Sequence, residues 1–212
     1  MGKAEAIRTA LTWTGDALLA ACLAPRCACC HCALESPSAG PVCARCWEDV
    51  RTADGRYDGA LRQVIHALKY DGRRSLSRPL AEMLRERHHA ALEAASCVVP
   101  VPLFAWRRLR RGFNQATELA AHLDRPIVHA LWRVRPTASQ TGLTAHARRR
   151  NVRGAFRVSP LLSAQTRARF ITDAVVVLVD DVMTTGATSS ACADVLVAAG
   201  ARDVRVVTLA RA

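Results

Sequence analysis

The sequence predicts an α/β fold, a parallel sheet flanked by helices and preceded by a small N-terminal metal-binding domain. Three observations predict it. Val175-Val-Val-Leu-Val179 is an unbroken apolar run, mostly β-branched, as in a strand buried on both faces of a parallel sheet. Helical and strand patterns follow one another from Asp58 to Leu209, the arrangement that places helices over a sheet. Seven of the nine cysteines lie between Cys22 and Cys46, ahead of that region. At 212 residues the chain can bury one core of good size and carry a small appendage.

From the N-terminus, Leu11 to Leu23 is fairly apolar, but Asp16 interrupts it and Glu5 sits where a secretion signal would be basic. A short amphipathic helix is expected there. No apolar run approaches the ~20 residues needed to cross a membrane, so a cytoplasmic protein with reduced thiols is expected.

Cys27-x-x-Cys30 and Cys43-x-x-Cys46 form two knuckles separated by twelve residues that include Pro37, Gly40 and Pro41. Each such turn aims two thiolates at one ion, and two of them complete a tetrahedral zinc site with no open position, hence a structural one. Cys29-x-x-Cys32 is an equally legal knuckle, and His31 is a further donor. Residues 1–50 are therefore assigned to the metal-binding domain and 51–212 to the α/β domain. Cys97 and Cys192 fall inside predicted elements and read as small core residues.

Asp58 to Tyr70 carries a helical stripe of Leu61, Val64, Ile65 and Leu68, closed by a turn at Lys69-Tyr-Asp-Gly-Arg73. A second helix is expected from about Ser77 to Leu92, and a short buried strand over Cys97 to Leu103. Next come a basic loop, Trp106 to Gln115, a helix from Ala116 to Leu123, a β segment near 154–158 and a closing strand from Val204 to Leu209. Phe113, Trp47 and Trp106 read as core anchors rather than stacking platforms.

The strand Val175–Val179 delivers Asp180 and Asp181 at its carboxyl end, where open α/β sheets bind ligands. Thr184, Thr185, Gly186 and Thr188 follow, and a helix pattern starts at Ala187 and runs to about Ala199. Backbone N–H groups at a helix start attract an anion, and glycine lets the chain wrap closely around it. Two carboxylates beside such a cradle suit a sugar phosphate.

This pattern resembles the phosphoribosyl pyrophosphate (PRPP) motif of type I phosphoribosyltransferases: hydrophobic strand, Asp-Asp, two spacers, Thr-Thr-Gly-x-Thr. The resemblance narrows further. Pro100-Val-Pro-Leu103, Arg111-Gly-Phe-Asn-Gln-Ala116, Gln140-Thr-Gly-Leu143 with Arg149 and Asn151, and the turn Lys69-Tyr70-Asp71-Gly72 look like the ComF family of competence-associated proteins, from about Pro25 to Arg211. The departures are the crowded cysteines and Ser189, where the broader motif usually has an apolar residue.

The resemblance implies a type I phosphoribosyltransferase-like sheet, with Asp180 and Asp181 on the ribose hydroxyls and Thr184 to Thr188 around the 5′-phosphate. It also implies magnesium with PRPP, pyrophosphate stabilised by Arg111 with Arg108 and Lys69, and backbone at Pro100 and Val101 as the floor. Asn114 and Gln115 would bind substrate or hold their loop shut. The implied activity is transfer of phosphoribose to a nitrogen acceptor, linked to DNA uptake. A non-catalytic protein that handles single-stranded DNA among competence proteins, with PRPP as ligand or regulator, is the alternative. The net charge of +12, almost wholly arginine because Lys3 and Lys69 are the only lysines, suits either phosphate-bearing partner.

Overall fold

The structure is a computed structural model and describes residues 3–136, 152 and 154–212, with backbone alone for 3–12. Gln140 to Leu143, Arg149 and Asn151 lie outside the described residues. The chain divides into two compact units, Met1–Leu76 and Ser77–Ala212.

In the first unit, helix α1 spans Lys3–Leu23, so the N-terminal helix is longer than expected. It is also less amphipathic, with Trp13, Leu18 and Leu23 well exposed. Asp16 is its anchor: the carboxylate accepts the Ser38 N–H at 2.8 Å from the 3-10 turn Pro37–Ala39. A hairpin follows, closed by a bridge between Arg26 and Ala33. Helix α2 (Ala44–Thr52) starts directly after Cys43. Helix α3 (Gly59–Tyr70) buries the predicted stripe of Leu61, Val64, Ile65 and Leu68, which is what the spacing of those residues dictates. No helix among the described residues is long and apolar enough to cross a membrane.

The second unit is built on a three-stranded parallel sheet in the order β1 (Cys97–Pro100), β4 (Val175–Met183), β5 (Asp203–Arg211). Chain near Ile127 adds a parallel bridge to the free edge of β1, through Val98 and Val128. Strand β4 lies between two partners, and its Val175 to Val179 are buried on both faces, as an uninterrupted apolar run requires. On one face Val176 and Leu178 join Cys192 and Leu196 of the helix Ala187–Ala198, together with Leu131 and Phe156. The latter two belong to an antiparallel pair, β2 (Leu131–Arg133) and β3 (Phe156–Val158). Helices α4 (Ser77–Arg87) and α7 (Gln115–Ala120) pack on the sheet as well. Cys97 and Cys192 are fully buried, as expected of small core residues.

Three expectations need correction. The basic stretch after Pro102 is not a loop: Ala105–Arg111 forms helix α6. Its residues are mostly good helix formers with no internal Gly or Pro, and Gly112 stops it in the left-handed conformation at φ 74°, donating its N–H to the Arg108 carbonyl. The helix predicted from Ser77 to Leu92 is divided at His88, with α5 resuming over His89–Glu93. Trp106 is no core anchor but 65% exposed, whereas Phe113 is buried as expected and Trp47 is half-buried.

Candidate functional site

Strand β1 ends at Pro100, opposite Val179, while β4 runs four residues further beside β5. The Val101 N–H still reaches the Val179 carbonyl at 2.9 Å. Asp180 and Asp181 therefore emerge where one neighbouring strand has stopped, next to Pro100 and Val101. Each carboxylate accepts the following backbone N–H at 2.9 Å, from Asp181 and Val182 respectively. Successive strand residues face opposite ways, so Asp180 shares the face of Val176 and Leu178, and Asp181 the other. Asp180 is half-buried; Asp181 is only 4% exposed.

Beyond Met183 the chain turns through exposed Thr184 and Thr185 to Gly186, whose φ is +72°. Helix α9 (Ala187–Ala198; α8 is Ala164–Phe170) then begins, its first turn closed by Ser190 N–H to the Gly186 carbonyl at 2.8 Å. The first turn of any helix leaves backbone N–H groups beyond the reach of intrahelical acceptors, and here that turn stands at the end of β4. Ala187 and Ser189 are buried and Thr188 is half-buried.

The α6–α7 junction is tied to the same end of the sheet. Asn114 donates from Nδ2 to the Val101 carbonyl at 3.0 Å while its Oδ1 caps α7 by accepting the Ala116 N–H at 3.1 Å. Arg111 donates to Gln115 Oε1 at 3.0 Å, and Gln115 is buried. These bonds tie Asn114 and Gln115 into the α6–α7 segment. Arg108 is exposed and Arg111 half-buried. Lys69 stands in the last turn of α3, in the first unit.

Arg133 is a buried charge that sequence reasoning did not single out. It is 7% exposed on β2, with its guanidinium carbon 5.3 Å from the Phe156 ring centre. Burial pushes its pKa below the usual arginine range, and the charge of Arg107 adds to that, while attraction to Asp180 works against both. The Cys192 thiol, pushed up by burial and by Asp180, lies in the same field. The only sequence signal is the alternation of Leu131 and Arg133 on one face of β2, invisible among so many arginines.

In the first unit, the thiol sulfurs of Cys27, Cys30, Cys32 and Cys43 lie within 4.8 Å of one another, as do those of Cys27, Cys29 and Cys46. Three of the four expected ligands thus stand together with Cys32, and Cys46 joins Cys27 and Cys29 while its side chain also interacts with those of Cys43 and Cys30. The donors fit zinc. A Zn–S bond of about 2.3 Å separates the sulfurs of a tetrahedron by roughly 3.8 Å; Cys30 and Cys43 are 3.8 Å apart, and Cys30 and Cys32 3.3 Å. Burial opposes ionisation of Cys27, but backbone N–H groups of Cys30, Cys43 and Cys29 outweigh it and bring the thiol down to about 6, so that it offers a thiolate at neutral pH.

No protein-family model matches the chain. Among characterised proteins it is similar to the "DNA utilization protein YhgH" of Escherichia coli, 34% identical over 200 residues, which span 86% of this chain and 83% of that one. The protein of that name from Salmonella typhimurium is 33% identical over 204 residues, covering 86% and 83%. "Competence protein F" of Haemophilus influenzae is 32% identical over 200 residues, covering 87% and 84%. The solved structure of "the allosteric regulatory enzyme of purine biosynthesis" matches 63% of this chain and 25% of that one, at TM-score 0.40 and 23% identity, too loose a likeness to carry an argument.

Gly186 gives a direct test of the turn. A Cβ there would meet only Met183 Sδ at 3.7 Å, an ordinary contact, so the cost of substitution is conformational. Gly186→Ala is expected to lower stability by about 1–2 kcal/mol in urea unfolding. A neutral substitution would contradict the left-handed turn.

Proposed function

The chain belongs to the ComF family, and on that premise we propose that it binds PRPP at the carboxyl end of β4 and transfers phosphoribose to a nitrogen acceptor with release of pyrophosphate. The observation that carries this reading is the placement of Asp180 and Asp181 on the central parallel strand, directly before a turn that opens helix α9.

The chemistry assigns each group a task. Asp180 and Asp181 accept hydrogen bonds from the ribose hydroxyls. Thr184, Thr185 and Thr188 donate to the 5′-phosphate beside the amides of Gly186 and Ala187. In the transfer a bond forms between C1 of the ribose and the acceptor nitrogen while the bond from C1 to the pyrophosphate oxygen breaks. Positive charge develops on the ribose and negative charge on the leaving group, so positioning and charge stabilisation dominate. Pro100 and Val101 floor the pyrophosphate, and Arg111, with Arg108, neutralises it. Arg133 supplies a buried positive charge that interacts with Asp180. The carboxylates are hard oxygen donors of the kind that suits magnesium, which when bound with PRPP offsets phosphate charge.

Calorimetry with and without magnesium tests this. Saturable PRPP binding is expected for the wild type and lost in Asp180→Ala/Asp181→Ala. Because Asp181 is buried, Asp180→Asn serves as the milder variant and is expected to weaken binding while keeping the wild-type circular dichroism. Undiminished affinity in both variants would overturn the site.

A second reading has its own observation. Helix α6 exposes Trp106 and Leu109 among Arg107, Arg108, Arg110 and Arg111, and aromatic rings set among cations suit single-stranded DNA. The relatives' names point the same way. If this surface binds DNA, neutralising Arg108 and Arg110 is expected to reduce the slope of log affinity against log salt by about 1–2. An unchanged slope would refute it.

A further inference from the structure

A single four-thiolate zinc leaves part of the N-terminal cysteine cluster unexplained. Six thiols converge there, in two sets that share Cys27. Cys27 is fully buried, and its sulfur accepts the N–H groups of both Cys29 and Cys43 at 3.4 Å. It is therefore held in place by two segments of backbone, one in the hairpin and one at the start of α2. Around it, Cys30 and Cys32 are exposed and Cys43 half-buried, whereas the second set is more enclosed, with Cys46 buried and Cys29 half-buried. Cys29 Sγ lies 3.8 Å from the Ala60 carbonyl, at the start of α3, so the second set reaches from the hairpin toward the α3 side.

We propose that this cluster holds two thiophilic divalent ions, of which zinc is the natural one, bridged by the Cys27 thiolate. The outer ion takes Cys27, Cys30, Cys32 and Cys43. The inner ion takes Cys27, Cys29 and Cys46 and keeps one position for a small ligand such as water. Each thiol releases its proton to solvent as its sulfur–metal bond forms. Six thiolates against two dications carry the same net charge as four against one, so the second ion adds no uncompensated charge to the cluster. It also supplies ligation for Cys29 and Cys46, thiols the outer set does not use.

The test is metal stoichiometry on the full chain, stripped, reloaded with zinc or cadmium, and dialysed against a weak chelator. Wild type is expected to retain two equivalents per chain, and isotopic cadmium should give two resonances that couple through the shared sulfur. Cys29→Ser and Cys46→Ser are each expected to fall to one equivalent, and Cys22→Ser, outside both sets, to retain two. Saturation of wild type at one equivalent would overturn the proposal while leaving a single structural zinc intact. Two equivalents retained in Cys29→Ser would overturn it as well. Because wild-type stoichiometry and cadmium coupling decide the question by themselves, a variant that fails to fold does not remove the test.

Discussion

Everything at the candidate site depends on how strand β4 is held. Its apolar run is buried on both faces and hydrogen-bonded on both edges, to β1 and to β5. A strand so enclosed has little freedom to shift in register, because a one-residue slip would exchange the faces of every side chain. Its carboxyl end is then fixed in space, and β1 stops at Pro100 while β5 pairs on to Met183, so Asp180 and Asp181 lie at one defined step of the sheet edge. The turn at Gly186 and the start of α9 inherit their position from that step. Packing of Leu196 and Cys192 against Val176 and Leu178 keeps the helix there.

The arginines divide by environment. Arg111 is engaged with Gln115 and helps hold the α6–α7 segment against the end of β1. Arg108 and Arg110 are exposed on α6, where their charge acts on partners more than on the fold. Arg133 differs from both. A buried guanidinium is costly unless its surroundings compensate, and the Phe156 ring and the charge of Asp180 both contribute here.

The parts of the fold legible in the sequence were those written in periodicity. Five successive apolar residues announced β4, the stripe from Leu61 to Leu68 announced α3, and Ala187 was read correctly as the start of the last helix. What escaped was decided by tertiary context or by local competition. Arginine-rich residues 105–111 looked like a loop because their charge hid a good intrinsic helix propensity, with the stop signal at Gly112. Trp106 was assigned to the core on its size, yet the helix it occupies turns it to solvent. Arg133 had only its alternation with Leu131 as a marker, and whether an arginine is buried depends on which elements cover it. In the cysteine cluster the spacing alone left several ligand sets open, and the hairpin through Arg26 and Ala33 brings all of them within reach of Cys27.

The central claim is that the end of β4, the turn after it and the start of α9 act together as one phosphate-sugar site. Hydrogen–deuterium exchange with and without PRPP and magnesium examines it most directly. The account predicts slowed exchange concentrated in residues 180–190 and at Val101, Leu103 and Phe104, with the edge of β5 at 203–206 unchanged. Saturating PRPP that leaves residues 180–190 unprotected, or protects a different part of the chain, would contradict it.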